Sequence, residues 1–189
     1  LVSDEFLSNE GFDAVCRAAT RRPTLAPRLN QFTSRALSAR SYTDRSYRVF
    51  ASPRRVRFRE MEYAVPLPAA GQVLGDIRDM IDRSGVMTPF PMEVRFAAAD
   101  DVWLSTAHGR EVCYIAVHQY HRMDHTELFR HAEEIFLAAD GRPHWGKMHT
   151  RTADDFASMV KHFDDFDAVR DRLDPDRVFG NSYTERVLP

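Results

Sequence analysis

The sequence predicts an α+β fold: an antiparallel sheet with helices on one face. Three observations carry that prediction. The hydrophobic period switches along the chain in the order strand, helix, strand, strand, helix, which is the order of a split βαβ layer. Of the 189 residues, 43% are hydrophobic and 13 are Phe, enough to bury a core and to exclude wholesale disorder. No apolar run approaches the ~20 residues of a membrane-spanning helix, and there is no internal repeat or low-complexity block. The length suits one domain, or one domain and part of another.

Taken in order, residues 1–40 read as a helical lead-in. Phe12, Val15, Cys16 and Ala19 follow helical spacing, with Asn9 as N-cap, and Pro23 and Pro27 break the next stretch. Ser38 to Tyr47 has no period and reads as a linker. Residues 41–140 read as the sheet domain. Val56, Phe58, Met61 and Tyr63 form a β-like run, with a bulge expected at Glu60-Met61 because the apolar period slips there. An amphipathic helix is expected over 68–83, carrying Val73, Leu74, Ile77, Met80 and Ile81 on one stripe and stopped by Gly85. A strand over 91–98 should turn Met92, Val94 and Phe96 to the core and Glu93 and Arg95 away from it. The stretch 100–110 reads as a long connection with room for a short strand. Residues 112–120 are apolar on both faces, so that strand should be central, and a helix is expected over about 126–138. Residues 141–189 read as a return segment: irregular to Thr150, helical over 153–172, broken at Asp174-Pro175, then coil.

Charge narrows the function. Twenty-six basic against 28 acidic residues, a net −2, argue against a nucleic-acid binder. Cys16 and Cys113 read as reduced, buried thiols of a cytosolic protein. The chain starts at Leu1 without methionine, which suggests a piece of something longer. Lys147 and Lys161 are the sole lysines beside 24 arginines, so either lysine is a candidate for a role that needs a compact ammonium group.

Four constellations could carry chemistry. Glu93 and Arg95 share a strand face about 6.5–7 Å apart, as a cross-strand ion pair would or as a polyol- or lactone-binding pair would. His118 and Tyr120 share a face of the next strand, where His118 is either a general base or a histidine bonded to a carbonyl. His121 and His125, near His118 and Asp124, have helical metal-ligand spacing, but no cysteine or His-Glu-x-x-His motif supports a metal and none is expected. Gly141-Arg142-Pro143-His144-Trp145-Gly146-Lys147-Met148-His149 is aperiodic and frames a lysine; it reads equally as an aromatic-anchored turn or as a loop aiming an ammonium at an electron-rich group. No Gly-rich phosphate loop and no Gly-x-Ser-x-Gly elbow occurs.

Met92-Glu93-Val94-Arg95-Phe96, Val117-His118-Gln119-Tyr120, Arg142-Pro143-His144-Trp145-Gly146-Lys147 and Leu173-Asp174-Pro175-Asp176-Arg177-Val178-Phe179-Gly180-Asn181 together resemble the C-terminal half of the FAD-linked sugar-1,4-lactone oxidoreductases. That family groups D-arabinono-1,4-lactone oxidase, L-gulono-1,4-lactone oxidase or dehydrogenase and alditol oxidase, of the vanillyl-alcohol-oxidase type. The resemblance runs from about Tyr42 to the end. It implies a cap domain over a flavin, with the FAD-binding domain of the same protein outside this chain. It also implies oxidation of a secondary alcohol beside a lactone carbonyl by hydride transfer to FAD. Glu93, Arg95 and Tyr120 would bind substrate, and His118 would help remove the alcohol proton. Lys147 would face the flavin pyrimidine edge, with His144 and Asn181 as further flavin-side contacts. Tyr120 stands where alditol oxidases have threonine, which would shift preference toward lactones. The resemblance further implies a cytoplasmic enzyme with weak membrane association at full length. The alternatives are a polyol oxidase and, in another class, a non-catalytic sugar- or partner-binding module.

Overall fold

The computed structural model describes residues 7–36, 43–51 and 55–189. A π-helical turn, Leu7–Gly11, leads into α1 (Phe12–Arg21) and α2 (Ala26–Ala36). Then come α3 (Ser46–Phe50), β1 (Phe58–Pro66), α4 (Ala70–Ser84), β2 (Glu93–Ala97), β3 (Val112–Tyr120) and α5 (Thr126–Ala138). The chain ends with β4 (Arg142–Pro143), α6 (Ala153–Met159), α7 (Phe163–Leu173) and α8 (Ser182–Val187). The four strands make one antiparallel sheet in the order β2-β3-β1-β4, so the fold is α+β, as the hydrophobic periods predict. Among the described residues, no helix is long and apolar enough to cross a membrane.

Strict alternation along β1 decides the two faces of the sheet. β1 and β3 pair without a break from Phe58 opposite Tyr120 to Pro66 opposite Val112. The bulge expected at Glu60-Met61 is therefore absent. Met61, Tyr63 and Val65 face the helices, while Phe58, Glu60, Glu62 and Ala64 face the other way. The apolar character of Phe58 is what suggested a register change. Phe58 is instead accommodated on the polar side, against Phe90 and His118.

Helices α4 and α5 cover the Met61 face. Val73, Ile77 and Met80 of α4 and Leu128, Phe129, Ala132 and Phe136 of α5 close over Met61, Tyr63, Ile115 and Val117. Phe136 lies nearly parallel to Tyr63, ring centroids 4.9 Å apart. Each large apolar side chain so buried contributes roughly 1.5–3 kcal/mol of transfer free energy. The cover stops short of β2, the outer strand. Val94 and Phe96 pair with Ile115 and Cys113, so they do lie on the helix side. They are nevertheless 37% and 70% exposed, and Met92 is also exposed, which corrects the expectation that all three are core. Alternation sets the face of a side chain; it does not supply the layer that covers it.

Several boundaries differ from the sequence reading. Asn9 does not cap α1; its side-chain oxygen accepts the Arg55 N–H at 2.8 Å, and Gly11 precedes the helix. The linker is described from Thr43 onward, where α3 takes up Ser46 and Tyr47; residues 38–42, and with them the 40/41 boundary, lie outside the described residues. The 100–110 connection holds turns and one bridge, Asp100 to His108, in place of a strand. Extended backbone at Val160 splits the 153–172 helix into α6 and α7. The expected terminal coil contains α8. Phe156, Val160, Phe163 and Val187 form a second small core against Trp145 and Leu104, which folds the tail back onto the 142–150 segment. Cys16 and Cys113 are buried free thiols, and burial, with Asp13 adding to it, pushes the Cys16 thiol up to about 12.

Candidate functional site

The sheet face turned away from α4 and α5 gathers charge. In β1, Glu60 and Glu62 point there; in β3, Tyr114 and His118; in β2, Glu93 and Arg95. The register sets Glu60 opposite His118. It also sets Glu62 and Glu93 on either side of Ala116, and Ala64 and Arg95 on either side of Tyr114. Ala116 presents a single methyl group, so the Arg95 guanidinium can reach across to Glu62. It donates to Glu62 Oε1 and lies 3.4 Å from Glu93 Oε1. The Glu62 side chain has no solvent exposure, and its Oε2 has no hydrogen-bond partner.

Lys147 reaches the same face from the other edge of β1. Arg142 and Pro143 pair with Ala64 and Tyr63, then His144 N–H donates to Glu62 O and Met148 N–H to Glu60 O, each at 2.9 Å. Three β1 residues, Glu60 to Glu62, thus oppose five residues of the partner, and Trp145-Gly146-Lys147 must loop out. The loop closes on itself through Lys147 N–H to His144 O (3.1 Å) and Gly146 N–H to His144 Nδ1 (3.0 Å). Trp145 anchors it, donating to Leu104 O at 2.8 Å and stacking on Phe156 with centroids 4.0 Å apart. Gly141 makes the entry possible: a Cβ there would sit 2.6 Å from Phe136 O, the carbonyl its own N–H bonds.

Two buried groups hold the exit of the loop. Glu133 of α5 accepts from the Tyr63 hydroxyl and from both N–H and hydroxyl of Thr150. His149 Nδ1 accepts the Arg151 N–H, so the proton of the neutral ring lies on Nε2, which donates to Tyr183 Oη at 3.0 Å. Tyr183 in turn donates to Trp145 O. Burial, with nearby Arg186, holds His149 down at about 4, which keeps it neutral at pH 7.

Glu60 is the centre of the site. Lys147 Nζ donates to its Oε2, and His118 Nε2 lies 3.3 Å from its Oε1. Burial alone would raise its pKa, but the bonds from His118 and Lys147 outweigh burial and hold the carboxyl down at about 2. His118 Nε2 facing a carboxylate is a nitrogen that carries its hydrogen. The other nitrogen, Nδ1, is buried without a partner. In this arrangement His118 offers substrate no accessible lone pair, so it orients Glu60 rather than standing free as a base.

The remaining sequence candidates separate. Tyr120 is fully buried and donates to Asp13 Oδ1 of α1 at 2.7 Å, so its hydroxyl does not open onto the charged face. His144 lines the cleft beside Glu62 and Arg95 but spends Nδ1 on the loop. Asn181 is the N-cap of α8, accepting from Tyr183 and Thr184 N–H, and its side-chain oxygen is committed there. His121 Nδ1 lies 3.0 Å from Arg57 O and the His125 ring packs on Phe129, so they form no ligand set with His118. Among the described residues the converging donors are Glu60, Glu93 and His118, within 4.8 Å of one another, with the Lys147 ammonium already on Glu60. Glu60, Glu62 and Glu133 were missed by sequence reasoning. For the first two the signal existed: unbroken period-2 alternation from Phe58 puts both on the face of Glu93 and Arg95.

A family model described as D-arabinono-1,4-lactone oxidase matches residues 1–187. An L-gulono-1,4-lactone dehydrogenase of Mycobacterium tuberculosis is 48% identical over 188 residues, covering 100% of this chain and 44% of the relative. The L-gulonolactone oxidase of Bos taurus is 32% identical over 151 residues, covering 76% of this chain and 34% of the relative. An alditol oxidase of Streptomyces is 33% identical over 133 residues, covering 68% and 31%. The chain therefore spans less than half the length of these curated relatives. With the match running nearly end to end, the chain belongs to the D-arabinono-1,4-lactone oxidase family.

Proposed function

We propose that this chain is the substrate-facing cap of an FAD-dependent oxidoreductase that oxidises an aldono-1,4-lactone at the alcohol beside the lactone carbonyl. The observation that carries the reading is one sheet face, free of the long helices, on which Glu60 is held between Lys147 and His118 beside the Glu62–Arg95–Glu93 group. The residues fit a flavin carried by another domain of the same protein. The Lys147 side chain is 26% exposed, so its ammonium can meet a second surface, and the unpartnered Glu62 oxygen can take a hydroxyl donor. Bound FAD supplies the hydride acceptor.

The chain's own residues do the rest. Arg95 and Glu93 bind the lactone oxygens and a neighbouring hydroxyl. Glu60 Oε1, shared with His118 Nε2, would accept a hydrogen bond from the reacting alcohol and fix its direction; as the hydride leaves carbon, the hydroxyl proton passes by way of Glu60 to solvent. Lys147, its ammonium already positioned on Glu60, would offer a positive charge to the flavin side of the strip, in a setting where little reorganisation is needed. The neutral substrate suits a chain of net charge −2. The free thiols Cys16 and Cys113 support a reducing compartment, the cytoplasm, for the full-length enzyme.

The test is steady-state turnover of L-gulono-1,4-lactone by the full-length, FAD-loaded protein. Lys147→Ala and Glu93→Gln should each lose at least about tenfold in rate while keeping a cooperative unfolding transition within a few degrees of wild type. Wild-type rates in both variants would overturn the reading. Rates on L-gulono-1,4-lactone against xylitol separate a lactone enzyme from a polyol oxidase. The greater identity to the lactone dehydrogenase favours the former. Tyr120 does not bear on that choice, since it is turned to Asp13.

A further inference from the structure

The charged strip continues past Arg95 into a cleft of about 450 Å³ between β2, the 104–106 turn and the Trp145 loop. Its lining is mixed in a particular way. At one end lie the buried Glu62 and the half-exposed Arg95. Along the side, the Thr106 and Tyr114 hydroxyls bond each other at 2.7 Å. Leu104 and the Trp145 ring supply apolar wall. Carboxylate and hydroxyl groups beside an indole and an aliphatic face suit a short polyol, whose C–H groups pack while its hydroxyls bond. Glu62 adds an independent sign. Its side chain has no exposure, it lines this cleft, and Oε2 has no partner. A buried carboxylate oxygen in that state is stabilised when a hydroxyl donor arrives.

Position along the strand says which part of the substrate reaches it. Glu62 lies two residues beyond Glu60, about 7 Å along β1. In an aldono-1,4-lactone the ring substituent lies across the ring from the alcohol beside the carbonyl, so a ring laid along the strip with that alcohol at Glu60 would carry the substituent toward Glu62. We propose that Glu62 and this cleft bind the hydroxylated side chain of the lactone ring and select six-carbon over shorter substrates. The inference rests on the proposed lactone activity and extends it from a reaction to a substrate length.

The experiment compares kcat/KM of the full-length, FAD-loaded protein for L-gulono-1,4-lactone and for its 5-deoxy and 6-deoxy analogues, in wild type and in Glu62→Gln. In wild type, at least one analogue should fall by roughly 10- to 100-fold, the loss typical of a hydrogen bond to a charged group. Glu62→Gln should lower kcat/KM for the parent lactone and shrink that discrimination to within about threefold. If both analogues stay within about threefold of the parent in wild type, the inference is wrong while the lactone reading stands. Equal losses on all three substrates in Glu62→Gln would overturn it in the same way. If no lactone is oxidised by wild type, the lactone reading itself fails and takes the inference with it. The analogue comparison in wild type needs no variant, so it decides the matter even if Glu62→Gln does not fold.

Discussion

Glu60 shows how much chemistry can depend on one unbroken alternation. Its carboxyl is held at about 2 by His118 and Lys147 against the opposing effect of burial, so it is an anion at every working pH. A carboxyl depressed in the folded state contributes stability above its unfolded pKa. That contribution is lost as pH falls through the folded value. Lys147→Met removes one of the two donors, so the folded pKa of Glu60 should rise toward its ordinary value. Less native stability then remains to be lost in acid. In an acid titration monitored by circular dichroism, the variant's loss between pH 4.5 and 2 should be smaller than that of wild type, by roughly 1 kcal/mol. An unchanged acid profile would mean that the Lys147–Glu60 pair does not hold in solution. At this scale the sequence was partly legible. Lys147 stood out because lysine is scarce, and Glu93 and Arg95 because their spacing put them on one face. Glu60 stayed hidden because Phe58 read as core, and a bulge was then needed to place it there. From sequence His118 reads as either a general base or a histidine bonded to a carbonyl, because sequence cannot show which nitrogen meets a carboxylate. Tyr120 shares the alternation of His118 but lies at the strand end, where α1 covers it.

The element that matters most is the least regular one. The segment 142–150 runs along the edge of β1, leaves it for three residues to present Lys147, and returns. Its return is fixed by Glu133, which is 17 residues from Thr150 in sequence and is brought beside it by α5. Glu133→Gln can keep the Tyr63 and Thr150 N–H bonds on its amide oxygen and donate to the Thr150 hydroxyl. Glu133→Leu leaves all three unmade. The leucine variant should lose roughly 2–4 kcal/mol of stability, read by denaturant unfolding of the full-length protein, and the glutamine variant under about 1.5. Similar losses in the two would show that carboxylate charge, rather than bond geometry, sets the loop. Regular elements were legible where the hydrophobic period ran for several turns, as in α4, α5 and β3. The short ones were not: α8 has six residues, too few for a period, although Asn181 with Thr184 three residues later forms the capping box that starts it. β4 has two residues and is defined by its partner, not by its own composition.

On the scale of the molecule, the sheet divides the work. One face is sealed by α4 and α5 and supplies the core. The other carries three glutamates, an arginine, a histidine and a lysine in one strip, an arrangement with no benefit for packing. Phe96 at the open edge, 70% exposed, marks where the helical cover stops. The α+β class could be read from periodicity alone, but the division into a covered and an uncovered face needed strand register. The chain spans 44% of the length of the mycobacterial relative. The most direct test is anaerobic reduction of the bound flavin by L-gulono-1,4-lactone, monitored by stopped-flow absorbance in the full-length protein. The lactone should bleach the wild-type flavin, and Lys147→Ala should slow the limiting reduction rate by about 100-fold. Reduction of the Lys147→Ala flavin at the wild-type rate would contradict this.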